Sequence, residues 1–164
     1  TSKNPDSQIY NDHLYCDGQG NAIFKLDTWE INILEKERQQ EGFVCWFRNI
    51  PNKGSSLCIQ YELGSEIKAH FPDFIVVRRV NNQYEFSILE PHYIGYSDSV
   101  PKLKGMAKYS QLCSSVKRNE MIRIIEMPTG KRIQRIDVAK SSIRNEVKCL
   151  NDYDDLNNLF AKLN

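Results

Sequence analysis

The chain has 164 residues, of which 40% are hydrophobic, 10% aromatic and 26% charged, with a formal net charge of +1. That is the make-up of one ordinary globular domain, long enough to bury about 70% of its unfolded surface in a single core. Scattered Gly and Pro exclude collagen-like, low-complexity and disordered classes. No apolar run reaches the roughly 18 residues of a membrane span, and the polar start TSKNPDSQ is no signal peptide.

Residues 1–11 read as a polar tail or linker remnant before a single domain over 12–164, and a start at Thr1 without Met suggests a domain cut from a longer chain. His13–Tyr15, DGQGN and Ala22–Leu26 predict a short hairpin-like entry. Asp27 with Glu30 three residues later is a capping-box pattern opening a helix to about Gln40, with Trp29, Ile33 and Leu34 as its apolar stripe and Gly42 as its stop. Strands are expected at Phe43–Arg48, Leu57–Tyr61, Phe71–Val77 and Tyr84–His92, the third apolar on both faces as in a central strand. A helix from about Pro101 to Val116 follows, capped by Asp98 or Ser99. Met121–Glu126 and Lys131–Asp137 flank PTGK as a hairpin. Helices at about Ser141–Leu150 and Asp152–Leu163 close the chain, Asn151 being a natural cap for the second. This order predicts an α/β (α+β) domain with a mixed central sheet flanked by helices.

Charge and cysteine usage add two expectations. Residues 1–41 carry four Lys/Arg against eight Asp/Glu, whereas residues 101–136 carry nine basic side chains against Glu120 and Glu126. A basic segment in a nearly neutral chain suggests a local polyanion-binding face. The five cysteines, odd in number and without a CxxC pair, point to a reducing, cytoplasmic compartment and read as buried small apolar residues. His13 and Cys16 form a lone HxxC that no second pair completes as a zinc site.

The stretch HFPDFIVVRRVNNQYEFSILEPH carries the chemistry. Asp73 follows Pro72 at the start of one apolar strand, and Glu90 lies near the end of the next, with His92 two positions on and therefore on the same strand face. If the strands are neighbours, Asp73 and Glu90 converge. Two carboxylates in an apolar setting repel unless a proton or cation intervenes. A hard divalent ion such as Mg²⁺ or Mn²⁺ resolves that conflict and can activate a water for phosphodiester attack. A turn Asp and a solvent-facing Glu are the plainer alternative.

PDFIV followed by ILEPH resembles the PD-(D/E)XK nuclease signature. Together with HLYCDGQG, Trp29–Glu30, VCWFRN and DSVPKLKGMAKYS, it resembles a nuclease module at the C-terminal end of helicase-type chains related to type III restriction enzyme subunits. The resemblance implies a restriction-endonuclease-like core and a Mg²⁺- or Mn²⁺-dependent endonuclease cutting DNA, partnered by an ATP-driven superfamily 2 helicase region of the parent chain in restriction or defence. By the same resemblance Asp73, Glu90 and the Pro91 carbonyl would hold the metal. Glu30 would support it or its waters, unless the capping box is its whole role. His92 stands where most of the superfamily has Lys; base, metal ligand, water-positioner and structural hydrogen bond all remain open. Lys102 or Lys104 would supply the missing cation. Lys102, Lys104 and Lys108 would contact phosphates, with surface solubility the favoured reading of Lys108, while Arg48 and Asn49 are structural or touch substrate. A catalytically degenerate fold acting as a nucleic-acid-binding or interaction module is the alternative.

Overall fold

The computed structural model describes residues 7–164. In chain order the elements are β1 (Gln8–Tyr10), β2 (Ala22–Phe24), α1 (Thr28–Arg38), β3 (Phe43–Arg48), β4 (Ile59–Leu63), β5 (Glu66–His70), β6 (Phe74–Val80), β7 (Gln83–Pro91), α2 (Ser99–Leu112), β8 (Val116–Met127), β9 (Gly130–Asp137), α3 (Ser141–Lys148) and α4 (Tyr153–Leu163). Five strands form a mixed sheet in the order β3-β6-β7-β8-β9, with β7 and β8 parallel and the other neighbours antiparallel. Four helices flank it, so the fold is α+β.

Alternation along the strands sends successive side chains to opposite faces. Ile88 and Met121 therefore meet Leu103, Met106, Val147 and Phe160 of α2, α3 and α4, while Leu89 and Ile122 meet Ile33 and Leu34 of α1. Each such Leu or Ile contributes about 1.5–3 kcal/mol on burial. Cover on both faces is why the successive residues Ile88 and Leu89 of β7 are both buried.

The β6–β7 turn sets the register on which the site depends. Asn81 and Asn82 both hold positive φ (49° and 62°), the conformation of a tight two-residue hairpin turn that Asn tolerates. From Val80 opposite Gln83, the pairing runs to Phe74 opposite Leu89. One step further, Asp73 and Glu90 face each other. At α2, a Cβ on Gly105 would lie 2.7 Å from the Tyr61 Cβ and 2.8 Å from the Gln60 carbonyl oxygen. Only glycine lets β4 pack this closely against α2. The β4–β5 hairpin is thereby held so that His70, at the end of β5, reaches the site.

Several expectations need correction. Residues 1–6 of the predicted tail lie outside the described residues, but Gln8–Tyr10 pairs with Ala22–Phe24 and buries Tyr10. His13 does not join Ala22–Leu26 in a hairpin; it bridges to Trp46. No cysteine is buried: Cys16, Cys58 and Cys149 are exposed, and Cys45 and Cys113 half-buried. Asp152, not Asn151, caps α4, its carboxylate accepting from the Asp155 N–H. Much of the predicted basic face turns inward. Arg118 and Arg135 pair with Glu37 and Glu120, and Arg123 lies over the Phe160 ring.

Candidate functional site

The capping box at α1 forms as the sequence predicts, and it is only half of what Glu30 does. The Asp27 N–H donates to Glu30 Oε2 at 2.8 Å, and the Glu30 N–H donates to Asp27 Oδ1 at 2.8 Å. The other oxygen, Oε1, pairs with Arg48 Nη1 at 2.6 Å. Arg48 continues to Asp73, Nη2 to Oδ1 at 3.1 Å, and its guanidinium lies 5.0 Å over the Phe74 ring. Arg48, expected to be structural or to touch nucleic acid, thus bridges two of the predicted acids.

Asn49 also resolves to a structural part. It is 1% exposed, and its side chain donates to the Leu57 and Pro72 carbonyls at 2.9 and 2.7 Å. Its backbone N–H donates to the Asp73 carbonyl at 2.9 Å, which fixes the entry of the chain into β6.

Glu90 is buried at the end of β7. Burial raises its carboxyl pKa, opposed by Lys102, a backbone hydrogen bond from Asp73 and Arg48. Asp73 is likewise pushed up, by burial first and then by repulsion from Glu90, with Arg48 partly offsetting both. The pair is strained electrostatically, as two carboxylates in a poorly solvated site must be.

His92 stands 3.1 Å from Glu90 Oε1 through Nδ1 and 3.0 Å from Ser99 Oγ through Nε2. Burial, then Lys102, lowers its pKa to about 4. With a neutral ring and an ionised Glu90, Nδ1–H donates to the carboxylate and the Ser99 hydroxyl donates to Nε2; with Glu90 protonated, its O–H donates to Nδ1 and Nε2–H donates to Ser99 Oγ. Both nitrogens are engaged. Among the roles left open for His92, the geometry is that of a residue positioning Glu90.

His70 carried no sequence reading, and Ser99 was read only as a helix cap, not as the partner of His92. His70 is 4% exposed, with Nε2 at 3.6 Å from Glu90 Oε2. Burial, helped by Lys102 and His92, drives its pKa down to about 3. Its place three residues before Asp73 in HFPD was the available signal.

The lysines separate. Lys102 pairs with Asp98 at 3.1 Å, its side chain 19% exposed, and its charge reaches Glu90, His70 and His92. It therefore belongs to the wall of the site rather than to a solvent-facing phosphate track. Lys104 and Lys108 face away. They line a cavity of about 480 Å³ between α2 and β4, and Lys108 pairs with Glu62 at 3.7 Å. The catalytic reading of Lys104 is corrected on that ground: it does not reach the acids.

Glu30, Asp73, Pro91 and His92 line an open cleft of about 510 Å³, with Trp29, Tyr93, Tyr96 and Lys131 at its margin. Among the described residues no group of three or more His, Cys, Asp or Glu side chains is disposed to hold a metal ion. The donor chemistry fits a hard ion nonetheless. Asp73, Glu90 and the Pro91 carbonyl are all oxygen donors, and Mg²⁺ ordinarily takes one or two carboxylates and completes its shell with water. Among the described residues, no helix is long and apolar enough to cross a membrane.

No solved structure matches the chain. Protein YagJ of Escherichia coli strain K12 is 31% identical over 146 residues, covering 88% of this chain and 59% of that protein. This chain therefore spans about three fifths of its relative's length. Residues 11–164 match the YagJ family along nearly the whole described fold, and the chain belongs to that family.

Proposed function

We propose that this chain is a divalent-cation-dependent nuclease domain that hydrolyses phosphodiester bonds in DNA. The observation that carries the reading is the pair of facing carboxylates at adjacent strand ends, Glu90 buried and Asp73 half-buried on the lining of an open cleft. Both resist ionisation through burial, the condition a bound cation relieves. Asp73, Glu90 and the Pro91 carbonyl would hold Mg²⁺ or Mn²⁺. The ion supplies Lewis acidity and a water of lowered pKa.

The chain's own residues do the rest. His92 fixes the Glu90 oxygen through Nδ1, and Ser99 fixes the ring. Arg48 orients Asp73 and Glu30 and places a positive charge beside these two lining acids of the cleft, where it would help offset a phosphate. Lys102 takes the balancing role that Lys has at the His92 position elsewhere in the nuclease superfamily. The restriction-endonuclease-like core, and a helicase region elsewhere in the parent protein that delivers the substrate, are parts of the same proposal.

One observation favours a second reading. Arg48 already neutralises Glu30 and Asp73 in part. A fold in which arginine has taken over the cation's place would bind nucleic acid without cutting it.

Incubating labelled duplex and single-stranded DNA with Mg²⁺ or Mn²⁺ separates the two. Cleavage by the wild type, lost by at least about 100-fold in Asp73→Asn and Glu90→Gln, is the expected result, since changes to residues merely supporting a metal ligand already cost 10–100-fold. Binding without cleavage favours the second reading, and cleavage unchanged in both variants removes the assignment.

A further inference from the structure

We propose that the loop between β7 and α2 is a base-stacking platform that makes unpaired nucleic acid, rather than continuous duplex, the preferred substrate; this rests on the nuclease reading for what happens after binding. Tyr93 and Tyr96 are 61% and 60% exposed, although each carries a large apolar ring. Their centroids lie 5.3 Å apart at 78°, an edge-to-face pair that leaves ring faces open to solvent.

The Tyr93 ring folds over Gly95, 2.7 Å from where a Cβ would stand. Tyr96 stands 5.7 Å from the His92 ring, and His92 holds Glu90. The aromatic pair is therefore tied to the acid pair through one residue. Trp29 and Lys131 complete the margin of the cleft that Asp73 and Glu30 line.

Exposed aromatic faces beside a cation are how proteins grip single strands: each base offers a π-face regardless of identity, and the cation meets the backbone. Bases inside a duplex are stacked already and present only edges in the grooves. A strand lying in this cleft would seat an unpaired base on Tyr96 or Tyr93 and carry its phosphate toward Asp73 and Glu90.

The test measures binding and cutting separately. Fluorescence anisotropy of a labelled oligothymidylate of about 16 nucleotides, and of the same strand annealed to its complement, is read in Ca²⁺ for the wild type, Tyr93→Ala, Tyr96→Ala and Tyr96→Phe. The single strand is expected to bind more tightly than the duplex. Each alanine variant should weaken single-strand binding roughly 10-fold while Tyr96→Phe retains it, since stacking needs the ring and not the hydroxyl. Cleavage in Mn²⁺ is followed in parallel. Ring-dependent binding without cleavage upholds the platform and removes the nuclease reading. Cleavage with equal affinity for both substrates and no effect of the alanines removes the platform alone. Single-strand binding unchanged in both alanine variants, with or without cutting, overturns the proposal.

Discussion

Helix α1 carries a buried glutamate near each end, and the two sit in oppositely balanced surroundings. Glu30, in the first turn, joins Asp73 and Glu90 around Arg48, so acids outnumber the arginine that bridges them. Glu37, in the last turn and fully buried, meets Arg78 and Arg118 through Oε2 and Arg135 through Oε1 at 2.9 Å. Arg135 also holds Glu120, Arg118 donates to Ser87 Oγ at 3.0 Å, and Arg78 donates to Gln40 Oε1 at 2.7 Å. There, three guanidinium groups enclose two carboxylates. The helix dipole sharpens the contrast, because it favours an acid at the first turn and opposes one at the last. The arginines must offset that opposition as well as the burial of Glu37. A closed network with its cations built in is architecture. An acid pair with one member buried, the other half-buried and too few cations beside them is a place for a cation from outside.

That comparison breaks most visibly at Glu37. Glu37→Gln leaves three arginines facing one remaining acid, and unfolding in urea is expected to show a loss of about 3–5 kcal/mol, the scale for removing one partner of a buried ion pair. A loss below about 1 kcal/mol would mean the network is loosely solvated. His92→Ala comes next, lowering metal affinity or cleavage about 10–100-fold by freeing the Glu90 carboxylate while the fold persists. An unchanged rate would make His92 purely structural.

At the acid pair the sign reverses. Asp73→Asn or Glu90→Gln removes repulsion, so the metal-free protein is expected to melt roughly 2–4 °C higher near pH 8, the shift that about 1 kcal/mol makes in a domain of this size. The pH dependence follows from the directions of titration. Both carboxyls titrate higher when folded than when unfolded, so the stability they lend is complete below about pH 4 and is lost as pH rises through their folded values. His70 and His92 titrate lower when folded, so their contribution is complete above about pH 6.5 and is lost as pH falls. Below about 6.5 the two trends oppose; above it the carboxyl trend acts alone. Melting temperature in EDTA should therefore fall between about pH 6.5 and pH 8, and Glu90→Gln should flatten that fall. The smallest effect is expected at Lys104. It faces the cavity between α2 and β4, so Lys104→Gln should leave cleavage of a short substrate within about twofold of wild type, as surface changes usually do.

The acid pair was legible in the sequence because local signals agree there. Pro72 and the Asn81-Asn82 turn bound β6, alternation puts Glu90 and His92 on one face, and the capping box announces Glu30. Long-range partners were not legible. Nothing in EIKAH, with Ile67 exposed and polar residues on both sides, announces a strand; its pairing with β4 and the contact of β4 with α2 bring His70 to Glu90. Arg118 and Arg135 counted as surface charge because the sequence does not show that the sheet face beneath them receives Glu37. Lys102 lies at the acids while Lys104 and Lys108 line the far cavity, a division that needed the packing of α2 against β4.

Calorimetric titration of the metal-free protein with Mn²⁺ near pH 8 tests the central contrast most directly. A single site is expected in the wild type, accompanied by partial proton release, because burial raises the Glu90 carboxyl to about 8 and the fraction still protonated must ionise to bind. Binding should vanish in Asp73→Asn and in Glu90→Gln and persist in Arg78→Lys, which alters only the closed network. Absence of binding in the wild type, or equal binding in all four proteins, would contradict the account.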